Sequence, residues 1–225
     1  QASGNLVAGQ ITTTGDLTLT ASSGGISSNG VLTSGGNISL TAVGTNSDIT
    51  VSQNIVGTGA ANNALLVKAG NSIIFNNSAD VITTNALNVT LNSDAEPTPN
   101  QAGAISLGSG TAINSAGGDI TLGGGANPLT TAAYSTSANG AGIELNGATL
   151  NASVVAAGGI ISLRGRRSIA SAGFNNGLNM HGGSSISTTG GGTITLDGSS
   201  TATDTGIGLN VSGSEGNLIT AVNGN

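Results

Sequence analysis

The side chains able to do acid–base, metal or recognition chemistry fall in a few places along this chain. Asp94, Glu96, Pro97 and Pro99 lie together, Pro128 and Tyr134 follow, and Arg164, Arg166, Arg167 and Phe174 form a third group. An aromatic ring beside guanidinium and carboxylate groups can stack on a sugar and fork onto its acidic substituents. The candidate ligand or partner residues are therefore Asp94, Glu96, Tyr134, Arg166, Arg167 and Phe174. A competing reading is structural: Phe174 and Tyr134 pin their own loops while the charges are solvated. His181, beside Met180, has no cysteine and no second histidine with which to share a metal. It reads as a surface residue or a partner for a carboxylate. Asp16 and Asp119 each follow glycine, but the tandem Gly-Gly-x-Gly-x-Asp of a calcium β-roll is missing. A turn cap or an outer strand-face position is expected of Asp119.

Catalysis has little to work with. A polysaccharide lyase needs clustered carboxylates for a metal and a base to abstract a proton, and Lys68 is the only lysine. No Gly-x-Ser-x-Gly elbow or phosphate loop occurs. The chain is read as a non-enzyme, with no catalytic residue, cofactor or metal expected. A carbohydrate-active enzyme using Asp94 or Glu96 is the alternative. An ice-binding role, prompted by "TLT" at Thr18 to Thr20, is a weaker third, because only some repeats place threonine where it would be needed.

The elements that would position these groups come from a repeat. "QITTTGDLTL", "VLTSGGNISL", "AINSAGGDITL" and "SISTTGGGTITL" end at Leu19, Leu40, Leu122 and Leu196. Each joins an apolar position to an alternating Ile/Leu-x-Leu strand through a Thr/Ser/Gly corner. Aligned on that strand, the clearest unit is Ile105/Leu107, Ile113, Ile120/Leu122. Before it come Ile73/Phe75, Val81, Val89/Leu91, then Ile49/Val51, Ile55, Leu65/Val67, then Ile26, Val31, Ile38/Leu40, and a partial unit at Ile11 and Leu17/Leu19. After it come Ile143/Leu145, Leu150, Ile161/Leu163, then Leu178/Met180, Ile186, Ile194/Leu196, and a weaker Ile207/Leu209, Val211, Leu218.

Apolar residues alternate with Thr, Ser, Asn or Asp, so one strand face points inward and the other to water. Three such strands with turns make one coil of a parallel β-helix. Spacing at two, and abundant Gly, Ser, Thr and Asn, leave almost no helix to expect. A coil of about five aliphatics, at roughly 1.5–3 kcal/mol each, cannot offset the ordering of its backbone, so coils must stack. The prediction is an all-β β-solenoid of about eight three-strand coils over residues 1–225. Glycine pairs such as Gly35-Gly36 and Gly117-Gly118 are expected at corners with positive φ.

Composition sets the limits. Hydrophobic residues are 36% but aromatics 1%, so the core is narrow and aliphatic, and charged residues are only 6%. Solubility must then come from hydroxyls and amides. With a net charge of −6 and four basic residues, the chain is a poor match for nucleic acid. No apolar run is long enough for a membrane span. The opening residues already belong to the repeat, which reads as a mature chain or a piece of something longer.

The "GGxIxL" pattern, best seen in "GAISLGSGTAINSAGGDITLGGG" from Gly103 to Gly125, resembles the repeat region of the filamentous haemagglutinin family of bacterial exoproteins. These adhesins leave the cell by two-partner secretion. The resemblance implies a right-handed parallel β-helix, secreted to the cell surface or extracellular matrix, and brings no catalytic residues. That family's amino-terminal secretion domain carries Asn-Pro-Asn motifs, whereas Asn127-Pro128 here is followed by Leu129, which suggests a shaft segment.

Two geometric expectations follow. The long connections Leu91 to Ile105, Leu122 to Ile143 and Leu163 to Leu178 share one corner, so their loops should form a ridge that places Tyr134, Arg166, Arg167 and Phe174 on one side. Surface glycans or matrix polysaccharide are its expected partners. At the ends, "QASGNLVAGQ" and "GNLITAVNGN" contain no charge and no proline to blunt a β-edge. Axial continuation into further coils or identical subunits is expected there.

Overall fold

A period-two alternation buries every second side chain, and with strands this short burial is complete only when strands of successive repeats lie over one another. The computed structural model describes residues 2–96, 100–153, 158–168, 176–200 and 207–222, and among them are strands, turns and no helix. The strands form three parallel sheets. The first contains Leu6–Ala8, Ile26–Ser28, Ile49–Val51, Ile73–Phe75, Ile105–Leu107, Ala141–Asn146, Asn176–His181 and Leu209–Val211. The second contains Ile11–Thr13, Leu32–Ser34, Ile55–Gly57, Val81–Thr83, Ala112–Asn114, Thr149–Asn151, Ser185–Thr188 and Leu218–Ala221. The third contains Leu17–Ala21, Ile38–Ala42, Asn63–Ala69, Leu87–Ser93, Ile120–Gly124, Ile161–Arg166 and Ile194–Ser199, with Ala133–Tyr134 added beside Ile161–Arg166. The chain is a parallel β-helix of about eight coils.

Register turns the repeat into columns. Ile26, Ile49, Ile73, Ile105, Ile143 and Leu178 stack in the first sheet, each at most 1% exposed. Leu32, Ile55, Val81, Ile113, Leu150 and Ile186 do the same in the second. Each buried aliphatic contributes on the order of 1.5–3 kcal/mol, and its contacts are shared with the coils on either side.

Two placements differ from the repeat alignment. Leu32, not Val31, is the inward residue of its strand, because Leu32 lies opposite Ile55. In the last coil the first-sheet strand holds Leu209 and Val211, opposite Leu178 and Met180, and Leu218–Ala221 returns to the second sheet, with Ile219 opposite Ile186. The alignment had moved this coil because Ile207 extends the alternation by one step, whereas pairing follows the core column.

The corner glycines also behave differently from expectation. Of Gly35, Gly36, Gly117 and Gly118, only Gly117 takes a left-handed φ, of 93°. The others are glycine because coils approach too closely for a side chain. A Cβ on Gly35 would lie 2.4 Å from the Thr14 carbonyl oxygen, and one on Gly118 would lie 2.3 Å from that of Leu87.

At the corners, Asn and Asp tie one coil to the next. Before the third sheet, Asp16 Oδ1 accepts the Asn37 N–H at 2.7 Å, Asn37 Oδ1 that of Ala64 at 3.0 Å, Asn88 Oδ1 that of Asp119 at 3.0 Å, and Asp119 Oδ1 that of Ile160 at 2.8 Å. Asp48 with Ser72, and Asn54 with Asp80, repeat the device at the other corners. These side chains satisfy backbone donors outside the ladders. This explains the acids after glycine: Asp16 and Asp119 cap turns. Asp119→Ala is expected to lower stability by about 1 kcal/mol, while Asp119→Asn, which keeps the acceptor, stays close to wild type. Urea midpoints of both variants check this, and equal losses in the two would refute the capping role.

Candidate functional site

The described parts of the long third-to-first-sheet connections lie together on one side. After Gly124 the chain turns back, and Gly124 N–H donates to the Thr131 carbonyl at 2.9 Å. Ala133–Tyr134 then enters as an extra rung, with Ala133 opposite Gly165 and Tyr134 opposite Arg166. Tyr134 also exchanges both backbone hydrogen bonds with Gly103, at 2.9 and 3.2 Å. Ser168 N–H donates to Ser135 Oγ at 2.8 Å, so successive connections are laced together. Gly123 makes the turn possible, since a Cβ there would meet the Pro128 carbonyl oxygen at 2.1 Å.

Tyr134 and Arg166 are brought into contact, with the guanidinium 5.9 Å from the ring centroid, and Arg167 follows directly. Phe174, Pro97 and Pro99 lie outside the described residues. The display expected of the ridge is not what the side chains make. Asp94, Glu96, Tyr134 and Arg167 are 1%, 5%, 8% and 5% exposed, and Arg166 alone of the described group faces solvent. The Tyr134 ring is used to pin its own loop. Arg164 Nε donates to the Leu129 carbonyl at 2.6 Å and pairs with Asp197, holding the same loop down. His181 Nε2 lies 2.9 Å from Glu144 Oε1 on the outer face of the first sheet. Lys68 lies on the outer face of the third, between Thr41 and Asn92. No three of the described His, Asp and Glu residues gather as a metal site.

Asp94 closes the first long loop. Its backbone is left-handed at φ 50°, and its carboxylate collects the returning amides of Asn100, Gln101 and Ala102. Burial pushes its carboxyl above the ordinary range, against those amides, which pull it down. Glu96 reaches to the backbone N–H of Asn46, while its Oε2 is buried with no hydrogen-bond partner among the described residues. Burial first, and then the neighbouring Asp94, push the Glu96 carboxyl up. A carboxyl held high in the folded state contributes stability while protonated, and loses it as pH rises from the unfolded value through the folded one. Glu96→Gln keeps an acceptor for Asn46 and carries no charge. It is expected to raise the thermal midpoint at neutral pH and to flatten the decline above the ordinary glutamate range. Melting curves across that range check the sign, and a steeper decline in the variant would refute it.

Two hollows open on this same side. One, of about 350 Å³, is lined by Asn5, Ser27, Asn46, Asp48 and Thr50 with the backbone of Gly25 and Ile26. The other, of about 290 Å³, runs from Asn46 and Asn71 past Ala102 to the Ser135–Ala138 segment and Ser168. They meet at Asn46. Sequence reasoning passed these residues over, because single Asn and Ser residues in a chain rich in both carry no local signal. What distinguishes them is position in the repeat, at the corner between the third and first sheets or on the outer face of the first-sheet strand that follows it.

Fold and side chains together define a parallel β-helix with a laced flank and a polar hollow along it. The chain matches no protein-family model, no curated protein and no solved structure.

Proposed function

We propose that this chain is a non-enzymatic structural and adhesive shaft of a secreted bacterial surface or biofilm-matrix fibre, continuing axially through its open β-edges. One observation carries the reading. Leu178, Met180 and Ile186 are fully buried, whereas Leu209, Val211 and Ile219, directly above them in register, are 41%, 47% and 43% exposed. Among the described residues nothing closes the core column at this end, and a further coil would bury it and pair the strand edges. The "GGxIxL" resemblance supports the secreted, extracellular setting. Burial of Asp94 and Glu96 supports the non-enzymatic part, because it withholds the acids that hydrolysis or elimination would need.

The test is sedimentation velocity of the purified chain over a wide concentration range, with negative-stain electron microscopy of the same samples. Head-to-tail contact does not close on itself, so the expected result is growth in one dimension into filaments one rod wide. A chain that stays a dispersed monomer at the highest concentration would overturn the axial reading. The mass of the denatured native material then tells covalent from noncovalent continuation.

A further inference from the structure

We propose that the two hollows meeting at Asn46 form one axial furrow that binds an extended, uncharged polysaccharide strand. This goes beyond the shaft reading: it concerns the flank of the rod, and that reading concerns its ends.

Shape comes first. The corner residues Asn5, Gly25, Asp48, Asn71, Ala102, Ser135 and Ser168 belong to successive coils, so the furrow crosses rungs rather than following one strand. With rungs about 4.8 Å apart, it runs along the rod for roughly 29 Å, an elongated course that suits a polymer and not a compact ligand.

The chemistry of the walls narrows the class. Among the described residues no lysine, arginine or histidine lines either hollow, which disfavours phosphate, sulfate and uronate chains. The one carboxylate among the described lining residues, Asp48, accepts at Oδ1 from Asn71 Nδ2 at 2.7 Å and from the Ser72 N–H at 2.9 Å, and no cluster of acids stands with it to hold a cation. Asn71 gives one amide hydrogen to Asp48 and keeps its second N–H and its carbonyl oxygen. Asn46, Thr136 and Ser137 add an amide and hydroxyls that both donate and accept. Such a wall matches the paired donor and acceptor capacity of sugar hydroxyls and offers little to an apolar peptide or a lipid.

A separate observation marks the junction. Ser47 Oγ and Glu96 Oε2 are buried with no hydrogen-bond partner among the described residues. Ser47 follows Asn46 in the chain, and the Glu96 carboxylate accepts the Asn46 N–H. Both atoms are enclosed and line neither hollow, so hydrogen bonding to a ligand falls to Asn46, Asn71, Thr136 and Ser137 in the walls. With no aromatic platform among the described lining residues, affinity must accumulate over many sugar units.

Affinity electrophoresis of the full chain tests this, with hydroxyethylcellulose, laminarin and dextran as uncharged probes and alginate as the anionic one. Retardation by at least one uncharged glucan and not by alginate is expected. Ala138→Trp, at an exposed wall position, should abolish the retardation and leave the thermal midpoint unchanged. Ser137→Trp serves as a second block should the first variant fold poorly. Migration unaffected by all three uncharged glucans, equal retardation by alginate, or retardation that survives both tryptophans would overturn the proposal. Because binding is read on the side of the rod, it can fail while axial growth persists, and the reverse.

Discussion

Replacing Phe75 by alanine is expected to remove about 3–5 kcal/mol of stability and to split the unfolding of the rod in two. Phe75 is 1% exposed and is prominent among the fully buried side chains, in a core otherwise built of Ile, Leu, Val and Ala with Met180. In register it lies between Val51 of the coil below and Leu107 of the coil above. A cavity there weakens both of its coil–coil interfaces together, near the middle of the stack. In a linear array, stability is close to a sum of unit and nearest-neighbour terms, so one poor interface uncouples the two halves. Urea denaturation followed by circular dichroism should show either two transitions or one with a lower slope, since each half exposes less surface as it unfolds. A single transition of unchanged slope and a loss below about 1 kcal/mol would show that the ladders, and not the core column, hold the coils together.

The second large effect contrasts one substitution at two heights of the same column. Ile186 and Ile219 are paired in the second sheet, the first fully buried and the second 43% exposed. Ile186→Lys forces an ammonium into a dry aliphatic core with no partner, a cost of several kcal/mol, and loss of folding is the expected outcome. Ile219→Lys leaves its charge in water, so the fold should survive with a change of about 0.5 kcal/mol or less. Its effect should appear in assembly. A coil docking on that end would have to bury the new charge, so axial association should weaken at least about tenfold, equivalent to 1.4 kcal/mol. Melting curves and sedimentation of the two variants separate the outcomes. Undiminished association of Ile219→Lys would mean that the exposed end is not the contact surface.

Architecture was legible in the sequence because burial imposes a period that survives any choice among aliphatic residues. Ile105, Ile113 and Ile120 announce their three sheets without help. The same signal misplaced Leu32 and the last coil, where neighbouring apolar residues offer two equivalent alternations and only contact with the coil beneath chooses between them. Glycine shows another limit. Gly35 and Gly118 look like turn residues, yet what excludes a side chain there is a carbonyl from a residue some twenty to thirty positions earlier, and no local pattern records that distance. The chemical groups were found but their exposure was not. Asp94, Glu96, Tyr134 and Arg167 stand out in a chain with so few charges and rings, and rarity suggests display, whereas three loops packed on one flank turned most of them inward. The furrow went unread for the opposite reason, since its Asn and Ser residues are common.

The Asn and Asp caps give the rod a direction. From Asn5 to Asp119 the side-chain oxygen reaches forward, to an N–H of the following coil, as Asn5 does to Gly25 and Asp80 to Ala112. Near the other end the sense reverses: Ser184 Oγ accepts from Ala148, and Asn217 Oδ1 accepts from Ser184. From Asn5 to Asp119 each coil therefore presents side-chain acceptors to the amides of the coil that follows it in sequence. The final turns clasp backward. Short polar side chains at the corners thus give the rod a polarity that the aliphatic columns, alike in both directions, do not.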